Sequence, residues 1–271
     1  MVRQIKYTDP RGFTLVEIVV VIAVISILAS VAVPYAFKMI NQERRTSTQE
    51  EMKSLYRSIK GDPSKGDGGY VGDMGVLPVN NDLRSLNIRR YGPVNQPNPQ
   101  TDTYGVKYGW FGPYSNVGFD ANSYLQDSWG VAYSFGSPGT GQIRSAGEDR
   151  IMGNADDIIY PPNPVNINGR VLVNVLVWDG SQFIQNPQMS AYPSMQLLLT
   201  LFYSNSGARA SITAGSPSSP PYTFLNLHMG QHAVTGNCDL DGPGPLSTTS
   251  GVEVAFVGEN NSQARLNIYL R

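Results

Sequence analysis

Cysteine, histidine and net charge are all scarce in this chain of 271 residues. Its single cysteine, Cys238, excludes a disulfide within the chain and a zinc site built from several cysteines. The 20 lysines and arginines are balanced by 21 aspartates and glutamates, so no basic excess is present to neutralise a phosphate backbone, and nucleic-acid binding is not expected. The sequence has two histidines and no G-x-S-x-G, P-loop or H-E-x-x-H motif. Because these common enzyme signatures are missing, we predict that the protein is not an enzyme.

Glycine and proline, by contrast, are abundant. The chain has 28 glycines and 19 prolines, and only 15% of its residues are charged. This composition favours many turns and short strands over long solvated helices. At about 150 residues per domain, the length allows two domains, or one domain and a membrane segment.

Residues 13–33 form an apolar run that is interrupted by one charge, Glu17. At a rise of 1.5 Å per residue the run is about 31 Å long, which matches the hydrocarbon core of a bilayer, about 30 Å. The preceding leader carries more basic than acidic residues, with Arg3, Lys6 and Arg11 against Asp9. This excess predicts a cytoplasmic leader, with the bulk of the chain on the other side of the membrane. A secretory signal peptide has a shorter apolar run followed by a small residue, whereas here the small residue comes first.

Glu17 is the feature of this run that needs an explanation, since a charge at membrane depth costs on the order of 3 kcal/mol and is usually functional and paired. The alternative is a side chain near the interface that extends to the headgroups. The residues RGFTLVEI, Arg11 to Ile18, resemble the processing signature of type IV prepilins and of the pseudopilins of type II secretion. In that family a membrane peptidase cuts after the glycine and methylates the new amino terminus. The resemblance implies that Gly12 precedes the cut, that Phe13 becomes the methylated terminus, and that Glu17 is the acid at the fifth mature position.

The resemblance also gives Glu17 a partner. Cleavage leaves an ammonium group at Phe13, and pairing with Glu17 of a neighbouring subunit offsets two costly charges in the membrane. Such pairing between subunits sets the axial register of a filament. Pro34 lacks an N–H and clashes with the preceding turn, so we expect it to kink or locally melt the helix as subunits leave the bilayer.

Beyond Pro34 the helical pattern continues with a buried face. Thr48, Met52, Leu55, Tyr56 and Ile59 recur at helical spacing. This stripe predicts a helix that packs on a sheet. Gly61 and Pro63 end it.

An acidic loop follows the head's central strands. The segments Asp127–Tyr133 and Gln142–Ile158 are similar to the major pseudopilin of type II secretion, whose head has D-P-W-G-x-x-Y and then S-A-G-x-D-G-x-x-G-x-x-D-D-I. In that family the loop binds one calcium ion, and the resemblance assigns its side-chain ligands to Asp149, Asp156 and Asp157, together with backbone carbonyls. Two residues depart from the pattern: Ser128 replaces the proline and Arg150 replaces a glycine. Arg150 strains the loop if a positive φ is required there.

The residues themselves also favour calcium in this loop. Carboxylates so close in sequence repel each other unless a cation lies among them, and calcium accepts 6 to 8 oxygen ligands in flexible geometry. Such an ion would be structural, because it closes a loop in a chain without disulfides. A solvated acidic turn without an ion is the alternative.

The carboxy-terminal region predicts a β-sandwich. Apolar, β-branched runs separated by turn residues indicate an antiparallel sandwich of about seven short strands: residues 170–178, 195–203, 222–227, 232–236, 252–258 and 264–270. Residues 222–234 are similar to the strand-turn-strand of transthyretin-like and collagen-adhesin B-type domains. Such modules are usually spacers or binding platforms, so the fold alone assigns no activity.

Four further groups of residues are candidate sites. Asn237, Asp239 and Asp241 match the start of a calcium loop, although Thr248 stands where that loop has a glutamate, so an ordinary turn is the alternative to a second calcium. His228 and His232 would share a helix face, but Gly230 between them predicts a turn. The acid pairs Asp120 with Asp127 and Glu253 with Glu259 have an unknown separation. Cys238 is left as a free thiol or an intermolecular bridge.

These observations predict an α+β protein. The expected parts are a leader (1–12), a membrane-spanning assembly helix (13–60) packed on an antiparallel-sheet head with a calcium loop (61–162), and an all-β sandwich (163–271). We expect a single-pass protein of the bacterial inner membrane with a periplasmic globular part, assembled into a periplasmic or surface filament.

The expected function is that of a structural subunit of a type II secretion pseudopilus. Its partners would be other pilin or pseudopilin subunits, contacted through the amino-terminal helix, the prepilin peptidase and the inner-membrane assembly platform. Two alternatives stay open: a minor type IV pilin whose sandwich binds a surface or partner, and a membrane-tethered binding module that never polymerises. The sequence does not decide between a major and a minor subunit.

Overall fold

The computed structural model describes residues 12–78, 82–115, 123–136, 141–188, 190–215, 220–241 and 249–271. Its internal contacts divide the chain between Thr46 and Ser47. The two parts are described separately below. The predicted leader up to Arg11 lies outside the described residues, and the four-part division of the chain stays a prediction.

The helices lie mainly in the first part of the chain and the strands follow them, as is typical of an α+β protein. The α-helices are α1 (Leu15–Lys60) and α2 (Gly69–Met74), and short 3-10 helices cover Pro63–Lys65, Leu83–Leu86 and Ser123–Leu125. The head strands are β1 (Arg90–Tyr91), β2 (Val94–Asn95), β3 (Gln100–Thr101), β4 (Lys107–Tyr108), β5 (Ser134–Phe135), β6 (Ile143–Ser145) and β7 (Ile158–Tyr160). The later strands are β8 (Asn168–Trp178), β9 (Phe183–Gln185), β10 (Gln196–Asn205), β11 (Ala208–Gly215), β12 (Tyr222–His228), β13 (Gly230–Asp239), β14 (Thr249–Val257) and β15 (Gln263–Leu270). The predicted long helix followed by antiparallel sheets is confirmed.

The first part of the chain is the apolar portion of α1. In the described residues α1 is the one helix long and apolar enough to cross a membrane. The helix continues without a break through Pro34. Pro34 has no N–H, so the usual helical hydrogen bond to the carbonyl four residues earlier is missing there.

The second part begins with the last turns of α1, whose inner face is buried as the spacing predicted. Thr48, Met52, Leu55, Tyr56 and Ile59 are all buried. The four apolar residues of this set pack in a hydrophobic cluster with residues of α2, the head loops and the short sheet β5-β6-β7. These partners include Tyr70, Val71, Met74, Leu86, Trp129, Phe135, Ile143 and Ile158. The helix ends at Lys60, where the N–H of Gly61 donates to the carbonyl of Arg57 at 2.7 Å. Gly61 has a φ of +71°, and a Cβ there would lie 2.2 Å from the carbonyl oxygen of Asp67.

The carboxy-terminal strands form two sheets around one apolar core. The front sheet has the order β11-β10-β13-β14, and the back sheet has the order β12-β8-β15, with β9 paired to β8. Val171, Val173, Val175 and Val177 of β8 point inward, and alternate residues of β8 therefore form the outer surface of the back sheet.

The sandwich differs from the prediction in two details. It contains β11, an alanine-rich strand that carries little hydrophobic signal. β15 runs parallel to β8, whereas an antiparallel arrangement was expected. This pairing joins residues 93 positions apart, such as Leu266 and Val173, and local sequence patterns do not specify a contact at that separation.

The head and the front sheet are in direct contact. A Cβ at Gly230 would lie 2.6 Å from the Cα of Gly72, so the two backbones meet where no side chain fits. The hydroxyl of Ser204 donates to the carbonyl of Asp73 at 2.6 Å. The head therefore covers part of the outer surface of the front sheet.

Candidate assembly and metal sites

The first turn of α1 holds the predicted processing and assembly residues. Thr14 and Glu17 form a reciprocal cap: the N–H of Thr14 lies 3.4 Å from Glu17 Oε2, and the N–H of Glu17 lies 3.2 Å from Thr14 Oγ1. This is the capping-box arrangement, in which a threonine and a glutamate three residues later satisfy each other's backbone donors. Gly12 and Phe13 precede the helix, and Phe13 is 78% exposed. Glu17 therefore has a role within its own chain that was not foreseen.

The apolar side chains of this part of α1 are exposed throughout the membrane-length segment. Residues such as Val20, Ile25 and Leu28 are more than half exposed. Exposed apolar surface on this scale is removed from water only by lipid or by protein partners. By length and composition the segment could cross a membrane, and its apolar surface is open to lipid or to protein partners.

The acidic loop connects β6 to β7, and its carboxylates are held by backbone donors. Asp149 accepts from the N–H of Ile151 at 2.8 Å and from the Asn154 amide at 2.6 Å. Asp156 accepts from the N–H of Asp149 at 3.1 Å. Gly147 starts the loop with a φ of +70°. The fold thus brings the predicted calcium residues into one turn.

Asp157 differs from the other two acids because it is buried. Its side chain is 4% exposed, and Oδ1 has no hydrogen-bond partner. Oδ2 accepts from the N–H of Gly153 at 2.8 Å and lies 3.6 Å from the guanidinium of Arg144. A buried carboxylate oxygen without a partner carries a desolvation cost that a cation would offset. Within the described ranges, however, no three His, Cys, Asp or Glu side chains are grouped closely enough to hold a metal.

The two departures from the pseudopilin pattern have visible consequences. Arg150 has a φ of +63°, so the position does require the conformation that glycine adopts without strain. The N–H of Ser128 donates to Thr48 Oγ1 at 3.1 Å, a bond that a proline could not make. Ser128 therefore ties this segment to α1.

The second candidate calcium residues lie at the end of β13. Asp239 Oδ1 accepts from the N–H of Asp241 at 2.9 Å, which is the geometry of an ordinary turn. Both acids line a cavity of about 330 Å³ together with Asp179 and Tyr192. Asn237 lies within β13, and Thr248 is outside the described residues.

The remaining candidate residues are buried or form contacts within the fold. Cys238 is not in a disulfide and is 1% exposed, and burial raises the pKa of its thiol to about 12, so an intermolecular bridge has no access. His228 and His232 lie on consecutive strands that belong to different sheets, and burial lowers the pKa of His232 to about 4. Glu259 receives a 3.2 Å ion pair from Lys60 and a short hydrogen bond from the Tyr56 hydroxyl.

In the candidate acid pair of Asp120 and Asp127, Asp127 forms hydrogen bonds within the fold. Asp127 Oδ1 accepts from the N–H groups of Trp129 and Val131, and its Oδ2 accepts from the hydroxyl of Ser145. Asp120 lies outside the described residues. The described acid of this pair thus holds a turn together.

One titratable group in the head was missed by sequence reasoning. Asp73 is buried where α2 meets the front sheet, and burial raises its pKa to about 6. Its Oδ2 accepts a 3.0 Å hydrogen bond from the Tyr114 hydroxyl. Nothing local in the sequence around Asp73 indicates this burial, because it depends on contact with a strand more than 100 residues away.

Comparison with known proteins identifies the amino-terminal segment. The model of the prokaryotic N-terminal methylation motif matches residues 9–33. The type IV major pilin protein PilA of Myxococcus xanthus (strain DK1622) is 33% identical over 70 residues, which are 25% of this chain and 32% of that protein. The chain thus spans about a third of the length of this relative. No solved structure gives a significant match. The two matches support a type IV prepilin-like family.

Proposed function

We propose that the chain is a prepilin of the bacterial inner membrane that, after removal of residues 1–12, becomes a structural subunit of a type II secretion pseudopilus. The observation that carries the proposal is the methylation motif at residues 9–33, which coincides with a helix whose apolar side chains are exposed. The role is mechanical rather than catalytic, as is general for pilin-like proteins. The globular part would face the periplasm, because the basic leader stays in the cytoplasm.

The exposed apolar side chains of α1 support a subunit that moves from the membrane into a filament. In the membrane the apolar segment is covered by lipid, and in a filament by the same segments of neighbouring subunits, so the transfer keeps the apolar surface out of water. Heterologous head-to-tail contacts of this kind generate open helical assemblies. The partners would be other pilin-like subunits, the prepilin peptidase and an inner-membrane assembly platform.

Glu17 would serve as the register residue. In the isolated chain its carboxylate caps the first turn of α1. Once cleavage exposes the Phe13 ammonium, a neighbour's Glu17 can exchange that cap for an ion pair, which is stronger than a hydrogen bond to a neutral N–H.

Mass spectrometry of the mature amino terminus tests the processing step. The protein is isolated from cells with and without the prepilin peptidase, and we expect a chain that starts at methylated Phe13 only when the peptidase is present. A Gly12→Leu variant is expected to keep its leader. A protein that still begins at Met1 in cells with the peptidase contradicts the proposal.

Glu17→Ala tests assembly separately from processing. The variant is expected to be cleaved but not incorporated into filaments, as measured by cross-linking of subunits in membranes and in sheared fibres. Glu43→Ala is the matched control, because Glu43 is an exposed acid of the same helix outside the apolar run. Equal incorporation of both variants contradicts a pairing role for Glu17, and a parent chain that enters no filament favours the tethered module.

We also propose that the loop of Asp149, Asp156 and Asp157 binds one structural calcium ion. The unpartnered Oδ1 of Asp157 supports this assignment, and binding requires Asp149 and Asp156 to turn from their present hydrogen-bond donors toward the ion. Adding calcium should raise the melting temperature of the detergent-solubilised chain, and a chelator should reverse the rise. Asp157→Asn should abolish the response, whereas Asp239→Asn should leave it intact; the reverse result moves the ion to the second site.

A minor type IV pilin is the second candidate, favoured by the similarity to a type IV major pilin. Deleting the chain separates the two. Loss of exoprotein release with intact surface fibres supports the pseudopilus, and loss of surface fibres alone supports the pilus.

A further inference from the structure

The outer surface of the back sheet carries exposed aromatic rings. The rings of Trp178 and Phe183 have centroids 5.2 Å apart, and those of Phe183 and Tyr269 are 5.5 Å apart. Trp178 is 39% exposed and Tyr269 is 47% exposed. A contiguous aromatic patch on a solvent-facing sheet is typical of an interaction surface rather than of a structural core.

Next to the rings lies a row of amides with a fixed direction. The N–H of Val175 donates to Asn186 Oδ1 at 2.8 Å, the Asn186 amide donates to Asn174 at 3.2 Å, and the Asn174 amide donates to Asn267 Oδ1 at 3.1 Å. Each side-chain oxygen in the row accepts one hydrogen bond, and the row ends at the amide NH₂ of exposed Asn267, whose donors the row does not use. Asn267 and Tyr269 are on the same side of β15, so a ligand that contacts the ring also reaches this donor.

The strands of this sheet are basic. The sequences of β8, β9, β12 and β15 contain no aspartate or glutamate. Arg170 and Arg265 are exposed on them, and Arg265 lies on the same side of β15 as Asn267 and Tyr269. The nearest acid in sequence, Asp179, is in the turn after β8, where its Oδ1 accepts from the N–H groups of Ser181 and Gln182.

From these observations we propose that the face formed by Asn174, Trp178, Phe183, Arg265, Asn267 and Tyr269, here termed the aromatic–amide face, binds a polysaccharide that carries carboxylate groups. Sugar rings present C–H faces that pack on Trp178 and Tyr269, their hydroxyls accept from Asn267, and their carboxylates pair with Arg265. The proposal does not depend on which filament the chain joins.

The polar row favours a saccharide over other occupants. A lipid surface or a flat apolar protein partner would remove the Asn267 amide from water without replacing its hydrogen bond, which is costly. The arginines are also too few and too widely spaced for a nucleic acid, whose every nucleotide carries a charge, and the chain as a whole has a net charge of -1.

Binding of sodium alginate, a polyuronate, to the detergent-solubilised full chain tests the proposal by isothermal titration calorimetry. We expect alginate to bind and neutral dextran to bind at least about tenfold more weakly, with an affinity for alginate that falls as salt rises. Trp178→Ala and Tyr269→Ala should each weaken binding by about tenfold. Val254→Ala is the control, because Val254 is exposed on the front sheet.

Asn267→Asp keeps the proposal falsifiable if an aromatic variant fails to fold. The aspartate retains the oxygen that accepts from Asn174, removes the terminal donor and adds a negative charge at an exposed position, so the melting temperature should not change while alginate binding is lost. The proposal is overturned if alginate and dextran bind equally, or if Asn267→Asp binds alginate as the parent does. It is also overturned if the chain binds anionic vesicles, single-stranded DNA or a second copy of itself in preference to alginate.

Discussion

The pH dependence of stability follows from Asp73 and His232, which titrate in opposite senses. Burial raises the pKa of Asp73 from 3.8 to about 6. Since one pH unit corresponds to about 1.4 kcal/mol, keeping this carboxylate charged in the fold costs about 3 kcal/mol at neutral pH. The raised pKa means that the associated stability is fully present below about pH 4 and is lost as the pH rises through 6. Burial lowers the pKa of His232 from 6.5 to about 4, so its stability is present above 6.5 and is lost as the pH falls toward 4.

These two contributions offset each other between pH 4 and 6, and a variant separates them. Asp73→Asn removes the buried charge while keeping an oxygen for the Tyr114 hydroxyl, so it should be more stable than the parent by about 1–3 kcal/mol at pH 7.5. In the variant, protonation of His232 should cost about 3 kcal/mol between pH 6.5 and pH 4. His228, whose pKa burial also lowers, acts in the same sense, and Glu51, whose pKa burial raises, acts in the opposite sense. Nearby Lys107 and Asp67 act on Asp73 in opposite directions and change this little.

Guanidinium unfolding of the detergent-solubilised chain, followed by tryptophan fluorescence from pH 4 to 8, measures both effects. His228 and His232 are present in both parent and variant, so the difference between the two profiles reports Asp73. If Asp73→Asn has the stability and pH profile of the parent, Asp73 is not charged in a buried site and the reasoning fails.

Three further predictions concern packing, strain and reactivity. Met52→Ala should destabilise the globular part by about 2–5 kcal/mol in the same unfolding assay, because Met52 is fully buried, whereas exposed Lys53→Ala should change stability by less than about 0.5 kcal/mol. Arg150→Gly should raise stability by about 0.5–1 kcal/mol, since φ is +63° there, and no gain would show that the loop is unstrained. Cys238 should react with a maleimide only after unfolding, as counted by mass spectrometry, and rapid labelling of the native chain would contradict its burial.

Local patterns predicted much of this fold because they report nearby contacts. The spacing from Thr48 to Ile59 gave the buried side of α1, since residues three and four apart share a helix face. The apolar, β-branched run at residues 170–178 likewise located β8. The parallel pairing of β15 with β8 could not be predicted from local patterns, because it depends on contacts across a whole domain.

The sequence predicted the sites only in part, because local patterns do not report tertiary contacts. The Thr14–Glu17 cap matches a sequence signature, but Glu17 was interpreted only as a membrane charge. The positive φ at Arg150 was anticipated from one substitution in a family pattern. The burial of Asp157 and the amide row that ends at Asn267 arise from tertiary packing, and calcium binding stays a prediction.

Glu259 gives the last turns of α1 a second attachment. It sits in the turn between β14 and β15 and joins Tyr56 and Lys60 to the far end of the chain. Tension applied along these helical turns would therefore reach the sandwich directly through the contacts of Glu259, as well as through the intervening polypeptide. A subunit with this attachment would transmit pulling or pushing forces from the helix to β14 and β15 without first extending the chain between them.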